Sequence, residues 1–371
     1  MCWFTKKFEV SRGQSNLRPM KGIRGFAVFL FFIVHYVTNA TPWISKWNSH
    51  LLLLMKALHM VGNTGVDLFF VLSGYLIYGT LIVRKQQYLL FMARRIERIY
   101  PTFIVVFGIY IVLSYVYPAE NKIPRNAPLS YLFQNLFLLP GLFDIEPLIK
   151  VAWSLSYEMF YYLTMPLIVV VLKLRQRRIT WRILFVSLAA ILTALYCAVF
   201  GGPIRLIMFM AGILLYESIQ SGKVRAPSGG VALISLAVGL MTSLLPIEGY
   251  VKIAVLFAAF FIFCLHVFLR PTDQLAKILS WTPVRWFGNM SYSYYLLHGL
   301  VLKAGFLFLG IFMAEAEYGE TFFWSTMPIM FMLTLSISAA LFLLVERPFS
   351  IGRTAEAYKP SQRIVDAPRM E

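Results

Sequence analysis

A disulfide framework is excluded at once. The 371-residue chain has three cysteines, Cys2, Cys197 and Cys264, which are too few and too scattered for one, and two of them lie in apolar runs. They imply no redox chemistry. Charge is scarce as well, at 14% of residues, and acidic groups number 17 against 34 basic ones. The net charge of +17 does not point to a nucleic-acid partner, because the basic residues are spread over many short segments rather than gathered on one face. No repeat of solenoid period and no low-complexity tract is present. No metal is expected.

Long apolar runs, by contrast, recur from end to end. With 59% hydrophobic residues and a mean hydropathy of +0.70, the chain reads as an all-α polytopic membrane protein whose first partner is the lipid bilayer. A spanning helix needs about 20 residues, and ten helices are expected, near 22–39, 64–82, 100–117, 151–172, 181–199, 203–219, 230–246, 250–269, 287–312 and 322–345. The first is expected to stay in the mature chain, since cleaving it as a signal would discard two candidate functional residues.

The connecting segments alternate in charge. One set, with the adjoining helix ends, holds 26 of the 34 basic residues, so the positive-inside rule places both termini in the cytoplasm. Residues 1–350 are expected to form one integral-membrane domain and 351–371 a polar cytoplasmic tail. Residues 43–60, with Trp43, Trp47, Lys46 and Lys56, suit a short interfacial helix. Gly201, Gly202 and Pro203 suit a tight hairpin between two helices.

Ionisable groups in hydrocarbon are costly and face a bundle interior or a cavity, which makes each a functional candidate. GIRGFAVFLFFIVH, residues 22–35, contains Arg24 and His35. Eleven residues of helix bring both to within ~20° of one face, about 16 Å apart along the axis. His35 reads either as a general base near neutral pH, oriented by a carboxylate such as Asp67 or Glu158, or as a histidine bonded to a neighbouring helix. Arg24 reads as a ligand for an anion or as a topological anchor.

GNTGVDLFFVLSGYLIYG, residues 62–79, offers small residues for close packing and Asp67, expected at the outer end of its helix within reach of His35. RRIERIYP, residues 94–101, sets Arg95 and Arg98 on one helical face, an arrangement suited to phosphates and equally to lipid headgroups. WSLSYEMFYYL, residues 153–163, buries Glu158 among hydroxyls from Ser154, Tyr161 and Tyr162. Arg205, Glu217, His266 and His298 complete the set, and the serine and tyrosine neighbours of His298 could satisfy it within the core.

Taken in order, GIRG with His35, GVDLFFVLSGYLI, RRIERIYP, WSLSYEMFYYL, GNMSYSYYLLHG and the closing ERP at 346–348 resemble membrane-bound acyltransferase family 3 over nearly the whole chain. Lys21 departs from that pattern, which commonly has an acidic residue there. The resemblance implies an O-acyltransferase of the cell (inner) membrane, of the bacterial glycan-modifying type. Its donor would be cytoplasmic acyl-CoA, with acetyl-CoA favoured. The acceptor would be a hydroxyl of an O-antigen, exopolysaccharide or lipid-linked oligosaccharide. It further implies Arg24, Arg95 and Arg98 as donor-binding residues and His35 as the base; Asp67 and Glu158, read from the sequence itself as carboxylates able to orient that base, complete the expected catalytic set. A proton-coupled exporter or flippase of a lipid-linked saccharide is the rival from another class, and a non-catalytic membrane subunit the third. The paired broken helices common in transporters are not found in the sequence.

Overall fold

A computed structural model describes residues 7–9, 18–118, 121–315 and 318–352. Without water to satisfy them, backbone N–H and C=O groups must pair within their own segment, and the described residues form helices with no sheet. In chain order these are α1 (Arg18–Ala40), α2 (Ser49–Gly62), α3 (Gly65–Val83), α4 (Tyr88–Val116), α5 (Pro128–Leu136), α6 (Trp153–Val171), α7 (Ile179–Phe200), α8 (Ile207–Ser221), α9 (Gly229–Thr242), α10 (Gly249–Leu269), α11 (Gln274–Leu279), α12 (Thr282–Asn289), α13 (Ser291–Leu309) and α14 (Glu320–Leu341). α14 runs on into a wide π turn over Phe342–Gly352.

Nine stretches among the described residues are long and apolar enough to cross a membrane. The helix expected at 230–246 is the 14-residue α9. At 1.5 Å rise it is about 21 Å long, short of a ~30 Å hydrocarbon core. The hairpin at Gly201 and Gly202 is present, with φ of +76° and +128° that L side chains rarely adopt. The tail expected at 351–371 lies outside the described residues except for the backbone of 351 and 352.

Two expected boundaries are corrected. α4 begins at Tyr88, so RRIERIYP lies inside a helix that continues through Pro101 instead of preceding one. α2 is no interfacial helix. It folds back along α1, with Leu51 and Met55 in one cluster with Val37, Ala40 and Trp43, and Gly62 against Leu30 and Val34. Leu51, Met55 and Gly62 are the buried face of this helix. Trp43 is buried and stacks on Phe322 at 5.6 Å, while Trp47 is 95% exposed.

α1 is the hub, touching α2, α3, α12, α13 and α14. Close approach depends on missing side chains. A Cβ on Gly288 would sit 1.8 Å from the Lys21 carbonyl oxygen and 3.1 Å from the Gly25 nitrogen. Because these are backbone atoms they cannot rotate aside, and Gly288→Ala is expected to cost about 1–3 kcal/mol, the range for overpacking. Thermal unfolding in detergent reads this loss. At the same crossing Glu9 accepts from Lys21 Nζ and Arg285 Nη1, both at 2.8 Å, so the lysine that departs from the family pattern is matched by an acid brought from elsewhere.

α7 presents Leu184, Leu188, Ile191 and Leu195 to lipid. Its polar tie is Arg182, whose Nε lies 2.9 Å from Glu217 Oε1 and whose Nη2 donates to Glu217 Oε2 at 2.9 Å. Arg182 Nη1 also donates to the Leu174 carbonyl at 3.2 Å, and Tyr78 OH donates to Glu217, so one carboxylate joins α3, α7 and α8. His266 is likewise structural: its Nδ1 is 2.9 Å from the Pro227 carbonyl and its Nε2 3.1 Å from Asp273 Oδ2. The Leu275 amide and then His266 hold the Asp273 carboxyl below its ordinary range.

Candidate active site

Arg24 and His35 both face the interior of the bundle from α1. Arg24 lies over the Phe69 ring, 5.9 Å from its centroid, and lines a cavity of about 50 Å³ with Phe69, Ser73, Glu158, Tyr292 and Tyr295. That is room for one or two waters. Glu158 Oε1 accepts from Ser73 Oγ at 3.0 Å and from Tyr162 OH at 2.5 Å. Ser154, which the sequence offered to Glu158, bonds to Tyr295 OH at 2.6 Å instead.

The α4 arginines arrive from the side. The Arg95 guanidinium lies 5.0 Å from the Phe91 ring centroid and 5.3 Å from that of Tyr162, two rings set edge to face at 88°, and contact with ring faces suits a weakly hydrated cation. Arg98 Nη2 lies 2.9 Å from Glu346 Oε1. Glu346, from the ERP segment in the π turn, also accepts from Ser293 N at 3.0 Å and Ser293 Oγ at 2.6 Å at the start of α13. A carboxylate there satisfies a free helix-end amide and complements the helix dipole. Arg24 is close enough to feel the charges of Arg98, Glu158 and Glu346.

Three guanidinium groups thus face two carboxylates, leaving one positive charge in excess. Arg24 Nε, Arg95 Nε and Arg98 Nη1 are buried without a hydrogen-bond partner. Each such donor costs about 1–3 kcal/mol. An anion placed among them would supply the missing acceptors.

Farther along α1, past a layer in which Phe31 meets Tyr295 at 4.8 Å and Phe69 at 5.6 Å, stands His35. Its ring meets that of His298 edge-on, with centroids 4.8 Å apart. His298 is fully buried on α13. Neither histidine lines the arginine cavity, which reaches the aromatic layer from the other side.

Asp67 does not join His35. α3 starts level with Ala27 and Leu30 of α1, since Gly65 packs there, and it runs back toward the arginine end. Asp67 is buried beside Arg205, whose Nε is 3.6 Å from Asp67 Oδ1 and whose guanidinium lies over Trp153 at 5.5 Å. Sequence reasoning missed Glu346 as the partner of Arg98 and set His298 aside as a core residue. The ERP segment was the available signal for the first. Among the described residues no group of His, Cys, Asp and Glu could hold a metal ion.

A family described as an acyltransferase domain matches residues 20–343. The O-acetyltransferase OatA of Staphylococcus aureus is 28% identical over 335 residues, covering 79% of this chain and 52% of OatA. The chain therefore spans about half the length of that relative. The acyltransferase MdmB of Streptomyces mycarofaciens is 26% identical over 339 residues, covering 84% of each chain. No solved structure matches.

Proposed function

Because the chain belongs to acyltransferase family 3, we propose that it is a membrane O-acyltransferase that moves an acyl group, acetyl by preference, from cytoplasmic acyl-CoA to a hydroxyl of a glycan. The observation that carries this reading is the set of three arginines with unpartnered donors at the basic end of the helix that bears His35. Coenzyme A is an anion through its phosphates, and Arg24, Arg95 and Arg98 would hold those groups, with Glu158 and Glu346 fixing the positions of the guanidinium groups. The thioester lies at the far end of the pantetheine arm. An arm extending along α1 for the ~16 Å between Arg24 and His35 would bring it to the imidazole, once Phe31, Phe69 and Tyr295 turn aside to widen the present cavity.

There His35 takes the proton from the acceptor hydroxyl as its oxygen attacks the thioester carbonyl. The new C–O bond forms, the C–S bond breaks, and the imidazolium returns the proton to the departing thiolate. Asp67 has no direct part in this step and instead holds Arg205. The names of two relatives, O-acetyltransferase and acyltransferase, support group transfer and, for the first, acetyl to oxygen. An O-antigen, exopolysaccharide or lipid-linked oligosaccharide at the inner membrane is the acceptor class.

The test is CoA release from acetyl-CoA by membranes containing the protein, together with mass spectrometry of surface glycans with and without the gene. Arg95→Ala removes a donor that meets the substrate in ground and transition states alike. It is expected to raise KM for acetyl-CoA about tenfold or more with kcat little changed, as for loss of a charged hydrogen bond. An unchanged KM would count against the donor site.

A further inference from the structure

We propose that His298 is a positioning residue for His35: its Nε2 accepts the N–H of the His35 ring, and so leaves the other His35 nitrogen as the proton acceptor. This rests on His35 being the base of the reaction above.

α13 runs parallel to α1, with Gly288, just ahead of it, against Lys21 and Tyr295 against Phe31. At Gly299 a Cβ would come within 3.8 Å of His35 Nδ1, so the backbone of α13 closes on the base. The tautomer of His298 follows from its partner. Its Nδ1 lies 2.8 Å from the Tyr294 carbonyl oxygen, which can only accept, so the proton of the neutral ring is on Nδ1 and Nε2 carries the lone pair. Stacking on the Tyr294 ring at 5.3 Å and 10° fixes the plane.

That lone pair is buried and has no partner. The hydroxyls nearest in sequence are already committed: Tyr294 OH to Thr334 Oγ1 at 2.8 Å, and Tyr295 OH to the Val151 carbonyl and Ser154 Oγ, both at 2.6 Å. A neighbour able to satisfy Nε2 is the His35 ring, 4.8 Å away between centroids and edge-on. A modest turn about the soft terminal torsion of His35 closes the contact. A histidine with one nitrogen so engaged presents the other in a single protonation state, the arrangement that orients a general base.

Two substitutions separate this role from packing. Asn places its amide where Nδ1 stands, keeping the bond to Tyr294 and losing the acceptor at Nε2. Gln reaches one atom farther and puts an amide oxygen near Nε2. With the full chain in membranes of the cells that make it, and CoA release from acetyl-CoA as the readout, His298→Asn is expected to unfold at the wild-type temperature. It should lose about 10- to 100-fold in kcat, as for partners that orient metal-bound imidazoles, while KM for acetyl-CoA stays within about twofold. His298→Gln is expected to recover most of that loss. The reverse order, with Asn near wild type and Gln impaired, overturns the proposal, and so does a loss confined to KM. His35→Gln is measured alongside. If it retains wild-type turnover, the base assignment falls and this inference with it. If it is inactive while His298→Asn turns over normally, the positioning role alone falls.

Discussion

Transfer of radiolabelled acetyl groups by the His35→Ala protein is expected to fall about 100- to 10,000-fold, the contribution of a well-placed general base. The change should leave the fold alone. The ring of His35 makes an edge contact with His298 and lies beside the bare backbone at Gly299, so alanine opens a small space without orphaning a salt bridge. Unfolding temperature near wild type, together with collapsed turnover and a KM for acetyl-CoA changed little, is the expected pattern. Near-normal transfer would end the mechanism. The donor site is a separate structure one aromatic layer away, so His35→Ala should still bind CoA, and binding measured without turnover checks that.

The largest loss of stability is expected from Glu217→Ala. It leaves Arg182 buried with its counter-charge gone and strips Tyr78 of its acceptor. Breaking a buried pair by removing one partner costs about 3–5 kcal/mol. Replacing both members, as in Arg182→Met with Glu217→Leu, is expected to restore much of it, because the desolvation penalty disappears along with the attraction. Thermal unfolding of the solubilised protein reads both. Fully additive losses in the double variant would show that the pair itself was not what the single change disturbed.

The helices were legible from apolar run length, and the common face of Arg24 and His35 from helical rotation alone. Partners were not, because they come from distant segments. Nothing near Arg98 in the chain announces Glu346, and nothing near His35 announces His298. For His298 the local reading was half right: a neighbouring residue does satisfy Nδ1, through the Tyr294 backbone, yet Nε2 remains over. Asp67 was placed at the wrong depth because α2 was read as lying on the membrane. Once α2 descends along α1, the start of α3 moves inward by several turns, and Asp67 meets Arg205 from the far side of the hairpin at Gly201. Of the hydroxyls the sequence offered to Glu158, Tyr162 bonds it while Ser154 and Tyr161 turn to other partners, and Ser73 from α3 was unforeseen.

The clasp of Glu9 on Lys21 and Arg285 also bears on how the protein can be handled. A version trimmed past Glu9 sets two cations side by side at the close crossing of Gly288 on Lys21, one turn ahead of Arg24. Such shortened preparations should be judged by their melting behaviour before any loss of turnover in them is credited to chemistry.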